Sequence, residues 1–147
     1  MSAQTVWNIE TAIKAKVAAT ASLTSIIGTN PVRIYPELRE DNGSLPAIVY
    51  ELNSSAPYLV LSGVPTLTRS SVSLHCLALE KKVSVDIAQK AQAIFADWAQ
   101  DFSSGGTLKI SVKSSRVSTI QTDYQPPADG ATHGLYLATL EVVSMHS

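Results

Sequence analysis

Two short apolar runs, hinged by a polar segment, constrain this chain most. Val32, Arg33, Ile34, Tyr35 and Pro36 make the first run. After the polar stretch Glu37 to Ser44 come Leu45, Pro46, Ala47, Ile48, Val49, Tyr50, Glu51 and Leu52. Their β-branched and aromatic residues mark strands, and the two prolines mark strand ends, where a missing N–H is tolerated. In the second run Ala47, Val49 and Glu51 point one way and Ile48, Tyr50 and Leu52 the other, the latter being the better core face. A chain that places these runs after an amphipathic helix is constrained to a soluble α+β domain.

That helix is expected over residues 5–20. Val6, Ile9, Ile13 and Val17 recur three or four apart and share a face, with Lys14 and Lys16 away from it. Thr5 is the expected N-cap. A second short turn runs from Leu23 to Ile27 and closes on Gly28. Asn30 and Pro31 then force an extended entry into a strand at 32–35, and a further strand is expected at 46–54. Tyr58 to Leu61 reads as a strand end or a projecting hairpin with apolar tips. Over 66–79 the pattern predicts a long strand, with Val72, Leu74, Cys76 and Ala78 inward and Ser71, Ser73, His75 and Leu77 outward.

Residues 84–101 read as the main helix. Ser84 is its expected cap, Asp86 suits the positive first turn, and Ile87, Ala91, Ile94, Phe95 and Trp98 form its apolar stripe. The run Ser103, Ser104, Gly105, Gly106 ends it. Residues 108–122 alternate again, but the parity changes between Val112 and Val117, which requires a bulge or bend near Ser114. A polar loop from Thr122 to His133 precedes a last strand from Gly134 to about Met145, with Tyr136, Ala138, Leu140 and Val142 on one side. Most links are hairpin-like. The expectation is one α+β domain over residues 1–147: a two-layer sandwich of mostly antiparallel sheet, with two main helices on one face.

A chain of 147 residues buries ~70% of its unfolded surface and needs no metal or disulfide staple. Charged residues make up 16%, against the usual ~25%. Such a surface suits a protein packed against others, and equally suits a plain Ser/Thr-rich β protein. A net charge of −1 argues against a general nucleic-acid binder, while leaving room for a ring whose lumen lets DNA pass. The single cysteine, Cys76, excludes an internal disulfide and reads as a buried thiol. No apolar run is long enough for a membrane span, and no signal-peptide pattern opens the chain, so a cytoplasmic place of synthesis is expected.

Catalytic signatures are missing from the sequence. His75, His133 and His146 are scattered, and there is no HExxH, CxxC, GxSxG or phosphate-cradling loop. The expectation is a protein that is not an enzyme and takes no metal and no cofactor. Glu37, Glu40 and Asp41 read as a solvated loop. Two segments read as interaction elements. One is 122–133, long and stiffened by Pro126 and Pro127; the other reading is a plain hairpin end. The second is 53–66, whose Tyr58, Leu59, Val60 and Leu61 mark a partner surface if exposed, or core if not.

Order and spacing of these elements resemble the tail terminator (tail completion) proteins of long-tailed phages. The resemblance rests on Ile26, Ile27, Gly28; Arg33, Ile34, Tyr35, Pro36; and Leu45, Pro46, Ala47, Ile48, Val49, Tyr50. It continues through Val72, Leu74, Cys76 and Ala78, the helix from Ile87 to Trp98, and Tyr124 with Gly134, Leu135 and Tyr136. These are strand and turn patterns. The resemblance implies a structural virion protein at the tail–head junction. It would form a homo-oligomer, a hexameric ring, that caps the tail tube, ends its polymerisation and joins the head. The implied partners are the tail tube protein and the head–tail connector protein, with DNA only passing through the lumen and no membrane. The candidate contact residues are Glu37, Arg39, Glu40, Asp41, Tyr58, Leu59, Tyr124, Pro126, Pro127, Asp129 and His133. The alternative is a head–tail connector or tube subunit of the same particle; a ligand-binding protein or enzyme is the remaining class.

Overall fold

Asn8 starts the first helix. Its side-chain oxygen accepts from the Thr11 N–H at 2.9 Å, satisfying one of the unpaired donors of the opening turn. The computed structural model describes residues 8–28, 33–36, 45–58, 67–104, 106–126 and 134–146. Helix α1 spans Ile9–Ala18 and buries Ile9, Ala12, Ile13 and Val17, the expected stripe. The cap is therefore Asn8; Thr5 and Val6 lie outside the described residues. Helix α2, Ala21–Ile27, ends at Gly28, whose φ of 91° favours glycine.

Arg33 ties the next elements together. Its backbone N–H donates to the Ile27 carbonyl at 3.0 Å. Its guanidinium donates to the carbonyls of Pro46 at 2.8 Å and Ile26 at 3.1 Å. This cation thus neutralises the negative end of α2 while holding the Pro46 carbonyl, just ahead of the strand that begins at Ala47.

The strands are β1 (Ile34–Pro36), β2 (Ala47–Tyr58), β3 (Leu67–Ala78), β4 (Gln100–Ser104), β5 (Thr107–Val117), β6 (Gln121–Gln125) and β7 (Leu135–His146). Among the described residues they form one seven-stranded mixed sheet in the order β1-β2-β3-β7-β5-β4, with β6 also on β7. Pairing among the described strands is mostly antiparallel, as expected, with one parallel pair, β1 with β2. The remaining pairs are antiparallel. One edge of β7 is shared: β5 takes its C-terminal half and β6 its N-terminal half.

Apolar rows cross the sheet by register. Ile48, Cys76 and Ala138 make one row, Tyr50, Leu74 and Leu140 the next, and Leu52, Val72, Val142 and Val117 a third. On these rows sit α1, α2 and helix α3 (Lys81–Phe95), all in a single core. The protein is thus α+β, with its helices on one face of a dominant sheet. Each fully buried Val or Leu in such rows contributes about 1.5–3 kcal/mol. On β2, Ile48, Tyr50 and Leu52 join the main core as expected, while Ala47 and Val49 on the other face, and Leu77 on β3, are buried as well.

The parity change does mark a bulge, placed between Val112 and Ser114 in the β5–β7 pairing. The main helix, however, runs from Lys81 to Phe95, not from 84 to 101. Glu80 occupies the cap position, and Ser84 is buried inside the helix, its hydroxyl donating to the Lys81 carbonyl at 2.9 Å. Residues 100–104 leave the helix to form β4, which hairpins onto β5. An aromatic ladder makes that turn: Phe95 meets Trp98 edge-on at 5.0 Å and Trp98 meets Phe102 at 6.0 Å. The helical spacing of Phe95 and Trp98 therefore reflects core burial on both sides of a helix end, not a longer helix.

Candidate interaction surface

All five residues of strand β6 are exposed, and among the described strands it pairs with β7 alone. The polar segment expected to begin as a loop at Thr122 is thus strand as far as Gln125. A Tyr pair stiffens it. Tyr124, 45% exposed, packs on its register partner Tyr136 at 4.7 Å. Gly134 lies beneath this pair: a Cβ there would sit 2.5 Å from the Tyr124 hydroxyl and clash with the Gln125 carbonyl. Only glycine lets β7 begin so close to β6. Beside the pair lies a shallow groove of about 290 Å³ lined by Lys81, Thr122, Asp123, Tyr124 and Tyr136.

The sheet face opposite the helices carries Ser71, Ser73, His75, Thr139, Glu141 and Arg69, the alternate residues of β3 and β7. Two grooves cross it and share Arg69. One, of about 440 Å³, runs by Asn53, Ser54, Ser71 and Glu141. The other, of about 260 Å³, runs by Ser114, Arg116, Val143 and Met145. On this face His75 stands between Thr139 and Glu51: its Nδ1 is 3.0 Å from the Thr139 hydroxyl and its Nε2 3.6 Å from the Glu51 carboxylate. A hydroxyl, an imidazole and a carboxylate in line suggest acyl-transfer chemistry. Glu51, His75 and Thr139 lie mid-strand on β2, β3 and β7, on the sheet face opposite the helices.

Two other titratable groups are shifted by their surroundings. Burial pushes the Cys76 thiol up to about 12, which holds it protonated and unreactive. Burial, with the Glu10 carboxylate nearby, raises the Tyr50 phenol. His146, which sequence alone marks only as near the end of the chain, is buried in β7 with its Nε2 2.8 Å from the Ser70 hydroxyl. The alternation of β7 running one residue past Met145 was the available signal. Among the described residues, no group of three His, Cys, Asp or Glu is placed to hold a metal ion. No helix among them is long and apolar enough to cross a membrane.

Of the residues expected at contacts, Tyr124 and Pro126 are exposed at and just beyond β6. Tyr58 ends β2, where its register partner is Leu67. Glu37, Arg39, Glu40, Asp41, Leu59, Pro127, Asp129 and His133 lie outside the described residues. The structure therefore brings Tyr124 together with Tyr136, Asp123 and Lys81, a grouping that sequence separation concealed.

No family model matches this chain, and no curated protein matches it. A solved structure does. A chain from the "Virion of native gene transfer agent (GTA) particle" superposes with a TM-score of 0.55 at 10% identity, over 90% of this chain and 91% of that one. What the two share is the fold, along nearly the whole of both chains.

Proposed function

We propose that this chain is a structural protein of a phage-like virion and acts as its tail terminator. In that role a ring of copies caps the finished tail tube, stops its growth and offers the surface that joins the head. The observation that carries the reading is the end-to-end likeness of fold to a chain of a gene transfer agent virion. The order of helices and strands in the sequence supports the finer assignment. The reading makes the protein a non-enzyme that works in the virion, with itself, a tube protein and a connector protein as partners.

The geometry suits such a role. A closed ring needs a heterologous contact, one patch meeting a different patch on the neighbour. Among the described strands this sheet has unlike ends: the three-residue β1 on one side, and β4 with the exposed β6 on the other. Exposed strand edges are kept short in proteins that remain discrete, because a long edge templates pairing.

The test is the mass of the purified protein in solution, with and without purified tail tubes. A six-fold multiple of 15.6 kDa, or a single copy that sediments with tubes at a fixed low ratio, agrees with a terminator. Open-ended polymers would identify a tube subunit. A single copy indifferent to tubes, yet bound by connector protein, would identify a connector.

A further inference from the structure

The helix-facing side of the sheet carries a row of four serines. Ser55 on β2 is the register partner of Ser70 on β3, Ser70 of Ser144 on β7, and Ser144 of Ser115 on β5. The row lies next to the apolar row of Leu52, Val72, Val142 and Val117, where further aliphatic side chains would continue the core. Ser70 and Ser144 are 0% exposed and Ser115 7%, whereas Ser55 reaches the surface.

Half of the row is satisfied directly. The Ser55 and Ser70 hydroxyls are 3.1 Å apart, and the Ser70 hydroxyl is 2.8 Å from His146 Nε2. The Ser115 and Ser144 hydroxyls are buried with no protein partner in reach. They are also direct cross-strand neighbours on one face. Such neighbours hold their Cβ atoms about 4.5–5.5 Å apart. That spacing lets two hydroxyls miss each other yet both reach one small molecule between them, at legs of about 2.8 Å.

An orphaned buried hydroxyl costs about 1–3 kcal/mol, and native interiors avoid this with ordered water when no side chain serves. The row contains no charged side chain to balance an ion. The ligand that fits is neutral and both donates and accepts. We propose that Ser115 and Ser144 form an internal water site between β5 and β7, with Ser70 as a third polar neighbour and exposed Ser55 as the route to solvent. The bulge between Val112 and Ser114 lies beside it, where the β5–β7 ladder is already interrupted. The sheet thus changes, within one row, from a dry core to a hydrated layer.

Oxygen-17 relaxation dispersion of water counts long-lived internal molecules without interference from exchanging hydroxyl protons. The wild-type chain is expected to lose one such molecule in the Ser115→Ala/Ser144→Ala double variant; an unchanged count overturns the proposal. Thermal melts give an independent sign. If the water is present, Ser144→Ala and Ser115→Ala each lower Tm by about 2–5 °C, and the double variant loses less than the sum, because both singles break the same bridge. If the site is dry, each substitution removes a buried, unpaired hydroxyl and raises Tm. Should the double variant fail to fold, the wild-type count alone decides: no long-lived internal water overturns the site.

Discussion

Replacing Phe95 by alanine should be the most informative core substitution, because Phe95 joins the helix layer to the late strands. Its side chain is fully buried, and its ring meets Trp98 edge-on at 5.0 Å. Trp98 in turn meets Phe102 on β4 at 6.0 Å. A buried Phe→Ala change costs about 3–5 kcal/mol, of which about 0.5–1.5 kcal/mol is the ring contact. Against a total stability of about 5–15 kcal/mol, and at about 3–4 °C per kcal/mol for a chain of this size, Tm should fall by about 10–20 °C. Circular-dichroism melts of Phe95→Ala, Trp98→Leu and the double variant measure both quantities. The coupling of the two sites should be about 0.5–1.5 kcal/mol. A fall of under about 3 °C, or single effects that add to within about 0.3 kcal/mol, would refute the reasoning that this ladder ties α3 to β4.

Other consequences are equally specific. Asn8→Ala removes the α1 cap and should cost about 1 kcal/mol in a denaturant titration; Asn8→Asp should restore most of it. The Cys76 thiol, raised to about 12 from 9.0 by burial, keeps its proton in the folded chain between those values while the unfolded chain releases it. Stability should therefore be full below pH 9 and decline as pH rises towards 12, and Cys76→Ala should flatten that decline in melts compared side by side. Folded protein should leave a thiol reagent unreacted until denaturant is added. Tyr124→Ala, at a 45% exposed position, should change Tm little yet weaken assembly, read by the sedimentation of protein with tubes. Replacing residues 127–133 by a short turn should leave far-ultraviolet circular dichroism intact and impair joining; unimpaired joining would remove that segment from the contact surface.

Much of the architecture was legible where one physical signal dominated. The alternation of Val72, Leu74, Cys76 and Ala78 gave the central strand because inward burial is what alternation reports. The parity change after Val112 gave the bulge because inserting one residue is what shifts parity. The failures have equally plain causes. Ser84 fits a cap by residue type, yet the helix had room to begin three residues earlier, and buried Ser84 bonds back to Lys81 instead. Trp98 kept helical spacing with Phe95 although the helix had ended, because both serve one core. The β1–β2 pair is parallel, and local pattern carries no record of strand direction. The exposed tyrosine pair and the buried serine row were the least legible parts. Tyr124 meets Tyr136 through register on β7, and Ser70 meets Ser144 and His146 through pairing across most of the chain.

The central claim is that this fold acts at the end of a tail tube. The most direct test is electron microscopy of purified tail tubes incubated with the protein carrying a visible tag. Label is expected at one end of each tube, one cap per tube, with tube lengths frozen when free tube subunits are then added. Label along the length of the tubes, or continued growth past the label, would contradict it.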